Sequence, residues 1–168
     1  SIEPFVQVGG DISAKEGWRI AVSLIWQNTG DLERTLNTVR KLGLCTDQEA
    51  KVLVTMAQRK INAVTSTSAG RLFDGVSAIL GIRRASTFEG EASTALEFAA
   101  EAWRKQREMQ KKNPEENLKI RMSEKEDIPE GTGISEASED ERKFILNTGE
   151  IVAYLVRARL AGEDPGKL

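Results

Sequence analysis

The sequence predicts a mainly α-helical chain, with a small β element near residues 118–122 and 144–146. Three observations carry this. Apolar residues recur at helical spacing through most of residues 12–112, capping residues precede the periodic windows, and alternation with period two is confined to the tail half. Residues 12–28 carry Trp18, Ala21, Val22, Leu24, Ile25 and Trp26 and stop before Gly30, a first helix. Asp31 is placed to N-cap a short helix to Leu42, with Leu32, Leu36 and Val39 inward. Thr46 and Glu49 form a T-x-x-E capping box for a helix running to about Ala63, burying Val52, Leu53, Met56, Ala57 and Ile61. A loop then feeds a helix from about Ser68 to Ile82. A long helix runs from Gly90 to about Lys112, where Asn113-Pro114 ends it because proline cannot continue the ladder. Leu118 to Met122 alternates as a strand, and Phe144-Ile145-Leu146 is a second strand candidate. Between them, residues 123–142 are acidic, with Gly and Pro and few apolar side chains, and read as a surface loop or insertion. Asn147 caps the last helix, whose core stripe is Ile151, Val152, Leu155, Val156 and Leu160, up to Gly162 at C′.

Composition narrows the function classes. With 39% apolar and 30% charged residues and a net charge of −2, the chain has an ordinary soluble balance and lacks the basic footprint of a nucleic-acid binder. Arg104, Lys105, Arg107, Lys111 and Lys112 do cluster. They follow Glu97 and Glu101, so they read as the solvated C-terminal end of a helix, where cations suit the dipole. No apolar run reaches transmembrane length and no signal peptide precedes the domain, which predicts a cytoplasmic protein without membrane or nucleic-acid partners. Histidine is absent and Cys45 is the single cysteine. That excludes an internal disulfide and a His-based triad, and a zinc site would have to be made of carboxylates alone. Cys45 lies in a turn between helices and reads as a packed small residue.

The most telling stretch is residues 65–98, TSTSAGRLFDGVSAILGIRRASTFEGEASTALEF. On a helical wheel, Leu72, Phe73, Val76, Ile79 and Leu80 form an apolar stripe. Gly70, Asp74, Ser77, Ala78 and Gly81 line a sector almost bare of bulk and carrying one carboxylate. Glycine inside a helix costs about 1 kcal/mol relative to alanine, so the glycines around Asp74 imply that something approaches closely. Two readings stand: tight helix–helix packing with Asp74 as a paired or solvated acid, or a ligand against the bare face.

The wording G-R-L-F-D-x-V-x-A-x-L-G, followed by F-E-G-x-A, resembles the C-terminal part of the HypF carbamoyltransferases of [NiFe]-hydrogenase maturation. Gly9-Gly10-Asp11 with Trp18-Arg19-Ile20-Ala21 is similar to that family's G-G-D … W-R-x-A segment, and Gly162-Glu163-Asp164-Pro165 resembles its G-x-D-P turn. The resemblance implies a helical subdomain of an actin-like, TsaD-like carbamoyl-transfer domain. It also implies a nucleotide substrate, ATP or carbamoyl-adenylate, and a HypE-like partner protein whose C-terminal cysteine receives the carbamoyl group. Metal ion and zinc would belong to parts of the protein not present here. Carried over by position, Asp74 would accept hydrogen bonds from ribose hydroxyls, because vicinal OH donors match the paired oxygens of a carboxylate. Gly90 would admit the nucleoside to the backbone, and Glu91 is a second polar candidate. Arg71, one turn before Asp74, would either pair with that acid or reach a phosphate. Gly9-Gly10-Asp11 reads either as a nucleotide-facing turn or as a plain helix N-cap at Asp11.

The sequence departs from the family pattern in having Ala95 where an acid is common and Gly17 in place of the proline of P-W-R. A start at Ser1 and a stop at Asp164-Pro165, where a further helix is announced, predict that residues 1–168 are one helical subdomain of a larger multidomain protein, inactive in isolation. The alternatives are a helical protein-interaction module that binds no nucleotide and a TsaD-like tRNA threonylcarbamoyl-transfer enzyme.

Overall fold

The computed structural model describes residues 2–112 and 147–162. Strand β1 (Phe5–Val8) leads through a 3₁₀ turn (Gly10–Ala14) into α1 (Gly17–Thr29), α2 (Leu32–Leu42) and α3 (Asp47–Arg59). Strand β2 (Ala63–Ser66), α4 (Ala69–Ile79), α5 (Glu91–Lys112) and α6 (Thr148–Leu160) follow. The strands pair antiparallel with Phe5 opposite Ser66 and Val8 opposite Ala63. The chain is thus mainly helical with a small sheet, as expected. The sheet itself joins two segments that the periodicity did not single out. The strands expected at 118–122 and 144–146 and the acidic loop 123–142 lie outside the described residues.

Helix α1 is the hub. Trp18, Ile20, Ala21, Val22, Leu24 and Ile25 are all buried, so it is apolar nearly all round and is covered by β1, α2, α3, α4 and α6. Its first turn meets α4 at very close range. A methyl group placed on Gly17 would lie 2.5 Å from the Asp74 carbonyl oxygen, and one on Gly75 would lie 2.9 Å from both Ile20 and Leu24. What approaches α4 at Asp74 and Gly75 is therefore α1. Gly70 is open, and the Arg159 guanidinium covers Gly81.

The caps follow the sequence closely. Asp31 accepts from the Arg34 amide at 2.8 Å, Asn147 accepts from the Glu150 amide at 3.0 Å, and Thr46 with Glu49 closes a full capping box. A long-range latch adds to these. Glu3 accepts from the amide and hydroxyl of Thr148 at 3.0 and 3.1 Å, putting a carboxylate on the N-terminus of α6.

Several boundaries differ from expectation. The helix expected over 12–28 starts only at Gly17. Gly9 and Gly10 take left-handed conformations (φ 106° and 56°) and begin a tight turn in which the Ile12 carbonyl receives the Lys15 and Glu16 amides. Asp11 lies inside that turn and Gly9 precedes it, so Asp11 is not the N-cap. The α3 ladder stops at Arg59 instead of about Ala63, because Lys60 turns left-handed (φ 54°) and the β-branched Val64-Thr65 pairs with β1. Leu32, Val52, Ile61, Phe73 and Leu160, all expected inward, are exposed.

The α1–α4 contact can be tested directly. Gly17→Ala would drive a methyl group into backbone, which cannot swing aside, and we expect a loss of about 2–3 kcal/mol, typical of overpacking. Gly75→Ala meets the Ile20 and Leu24 side chains at 2.9 Å and backbone, at Ala21, only at 3.4 Å, and it gains helix propensity, so its net loss should be smaller, about 1 kcal/mol. Denaturant unfolding of the two variants should rank them in that order; equal losses would show that the backbone contact at Gly17 is not limiting.

Candidate functional site

Asp74 sits on the inner side of α4, beneath the start of α1, and is 5% exposed. Its Oδ2 lies 2.9 Å from Nη1 of Arg71, close enough for charge attraction. The approach is off the axis that a hydrogen bond needs, so Oδ2 is buried without an aligned donor among the described residues. One turn on, the Ser77 hydroxyl is also buried without a partner. Burial pushes the Asp74 carboxyl above the ordinary carboxylate range, the Arg71 charge pulls it back, and the Glu89 charge adds to the rise.

Arg71 spans two elements. The same Nη1 donates to the Ala14 carbonyl at 2.9 Å, so one guanidinium joins the end of the 3₁₀ turn to α4. The Gly9-Gly10-Asp11 turn is thereby tied to the site through its last residue. Of the two roles open to Arg71 in the sequence, the ion pair with Asp74 is the one that the geometry displays.

The segment between α4 and α5 is laid over the start of α1. Arg84 accepts at its carbonyl from the Trp18 amide (3.1 Å), and the Ser86 amide donates to the Lys15 carbonyl (2.7 Å). The guanidinium of Arg84 donates to the Leu44 carbonyl at 2.6 Å and stands over the Trp18 ring, 5.1 Å from its centroid. Arg19 covers the same ring at 4.7 Å. The Trp18-Arg19 pair is thus an anchor for the loop that carries the second half of the site.

That loop ends at Gly90, which is left-handed (φ 83°). A side chain there would meet only the Ser93 hydroxyl, at 3.8 Å, so the outer side of this turn is open to an approaching group. Glu91 begins α5 and is already engaged. Its Oε2 accepts from the Thr87 amide and hydroxyl at 2.6 and 3.0 Å, and its Oε1 faces Arg83 at 3.3 Å. Those bonds, the backbone one foremost, hold its carboxyl below the ordinary range. Glu91 therefore shapes the Gly90 turn. The sequence did not single out Glu89, although it is the residue of this loop whose charge reaches Asp74; an acid immediately before the glycine was the available signal.

Elsewhere the chemistry is quiet. Cys45 is half-buried and burial pushes its thiol up to about 11, which keeps it protonated and a poor nucleophile at neutral pH. Among the described residues no group of His, Cys, Asp or Glu is arranged to hold a metal ion, and no helix is long and apolar enough to cross a membrane. Lys105 of the basic stretch pairs with Glu101 at 2.8 Å, as expected of a solvated helix face.

Comparison with known proteins supplies the family. Residues 1–166 match the family model described as the second subdomain of the carbamoyltransferase Kae1-like domain. The chain is 32% identical over 99 residues to a probable carbamoyltransferase HypF of Methanocaldococcus jannaschii, covering 59% of this chain and 13% of that protein. It is 36% identical over 94 residues to a HypF homologue of Cupriavidus necator, covering 55% and 23%. With HypF of Rhodobacter capsulatus the identity is 38% over 101 residues, covering 59% and 13%. The chain thus spans less than a quarter of the length of these relatives. Its fold is similar to part of full-length HypF solved in a phosphate- and nucleotide-bound form, with a TM-score of 0.63 at 20% identity, covering 98% of this chain and 18% of that one. The chain belongs to the HypF carbamoyltransferase family and corresponds to the second subdomain of its Kae1-like domain.

Proposed function

We propose that this subdomain forms one wall of the nucleotide cleft in a carbamoyltransferase that passes a carbamoyl group from carbamoyl-adenylate to the C-terminal cysteine of a HypE-like partner. In the intact enzyme carbamoyl phosphate and ATP would supply the adenylate, and the cysteine thiol would take the carbamoyl group with release of AMP. The residues of this chain bind and orient; the reacting atoms would be handled elsewhere. With histidine absent and Cys45 held as a thiol, the described residues include no evident activated nucleophile.

The observation that carries the reading is the buried Asp74 oxygen without an aligned donor. Buried polar atoms are almost always satisfied, and an exception in a family that handles adenylates points to a group that arrives with the ligand. A ribose hydroxyl supplies such a donor. Gly90, open on its outer side, would let the sugar or base approach the backbone. Glu91 keeps that turn in shape, and Arg71 lies beside the same carboxylate oxygen.

Two outcomes follow for Asp74→Asn in the intact carbamoyltransferase. Calorimetric titration with adenosine nucleotides should show at least about tenfold weaker binding, equivalent to about 1.4 kcal/mol, because the amide keeps the shape but loses the charge and one acceptor. Unchanged affinity together with a lower melting temperature would make Asp74 a structural acid and end the ribose assignment.

The second outcome concerns pH. The Asp74 carboxyl has a higher pKa folded than its ordinary value of 3.8. Above that value the folded state therefore holds more protons than the unfolded one, and this group's contribution to stability falls as pH rises through the folded pKa. Asp74→Asn removes that slope. Its melting temperature should equal or exceed that of the parent at neutral pH, and the difference should shrink as pH is lowered toward 3.8. A deficit that grows toward neutral pH would mean that attraction to Arg71 outweighs the burial cost.

A further inference from the structure

We propose that Arg71 is the positioning residue for Asp74 and makes no contact with a phosphate. The inference rests on the reading of Asp74 as the nucleoside acceptor and assigns the cation beside it. A single nitrogen, Nη1, lies 2.9 Å from the Ala14 carbonyl oxygen and 2.9 Å from Oδ2 of Asp74. It has two protons to share between them, and the bond to Ala14 is the well-aligned one. One nitrogen of the planar guanidinium is thus held between these two oxygens. The side chain is only 19% exposed. A phosphate would find Nη1 already compensated by a carboxylate and a carbonyl. The pair Arg71–Asp74 is also neutral in sum, so it offers an incoming polyanion little net attraction.

Positioning explains the placement better. Ala14 closes the 3₁₀ turn that follows Gly9-Gly10-Asp11, and Gly17 presses on the backbone of Asp74 itself. Arg71 therefore references the carboxylate to the same segment that fixes its main chain. Arg71 is the cation that opposes burial and the Glu89 charge at Asp74.

The test compares two ligands on the intact carbamoyltransferase. Adenosine and ATP are titrated calorimetrically into the parent, Arg71→Gln and Arg71→Lys. A positioning role predicts that Arg71→Gln weakens adenosine and ATP alike, by about fivefold, the scale of coupling between residues in contact. Arg71→Lys, which keeps the charge but not the fork, should recover part of the loss for both ligands. In an Asp74→Asn background, Arg71→Gln should add less than about twofold, since nothing remains to position. Weakening confined to ATP would make Arg71 a phosphate ligand and overturn the inference while leaving the Asp74 assignment in place. Undiminished affinity for both ligands in Arg71→Gln would overturn it as well. If Asp74→Asn itself leaves adenosine affinity unchanged, the underlying reading fails first. Should Arg71→Gln not fold, Arg71→Lys gives the same comparison between the two ligands.

Discussion

At Gly17 the backbone of α1 runs so near the Asp74 carbonyl that no methyl group fits between them, and Gly75, the next residue of α4, is pressed in turn by the Ile20 and Leu24 side chains of α1. Helices that close approach share more dispersion contact and exclude water from whatever lies at the crossing. Here that includes an acid. The position of the Asp74 carboxylate, its desolvation and the short reach from Arg71 to Ala14 all depend on this one distance. A proline or alanine at position 17 would demand a different spacing, which gives the departure from the family's P-W-R wording a physical meaning in this chain.

The same closeness creates a conflict that the fold does not resolve internally. Burying a carboxylate without a well-aligned donor opposes folding, and Arg71 offsets only part of that cost. Structures retain such conflicts where a bound group later removes them, and stability and function then pull in opposite directions at one residue. The surrounding parts look built to contain the cost. Trp18 lies under two guanidinium groups, and the loop after α4 is pinned by main-chain bonds to Lys15 and Trp18. The strained acid thus sits in a frame with little freedom to relax.

Much of this was legible in residue order. The N-caps at Asp31, Thr46 and Asn147 and the long helix after Gly90 stand where the capping rules put them, since capping is a local property of three or four residues. That Arg71 lies within reach of Asp74 follows from helical spacing, while its pairing was one of two roles left open. What escaped was non-local. Among the described residues Phe5–Val8 and Ala63–Ser66 pair with each other alone, and neither is long enough to announce itself. Val52, Phe73 and Leu160 satisfy a helical stripe yet face outward, because the stripe's width depends on how many neighbours a helix has. That α1 closes on α4 at Asp74 could not be read from α4; it required Gly17, far away in the chain, to be recognised as its counterpart.

The bond between Glu3 and Thr148 has a consequence for the order of assembly. It joins residues 145 positions apart, near the two ends of the described chain. Closing so long a loop costs entropy that is recovered only once β1 and α6 both lie on α1, so this latch should be among the last contacts to form. During synthesis β1 would wait for α6 to emerge while α1 to α4 pack around it. The N-terminus of α6 in that interval lacks the carboxylate that satisfies its first amide, and one side of α1 lies bare. The fold is therefore completed from its far end, and the time until α6 docks is the period in which this small core is most open to wrong partners.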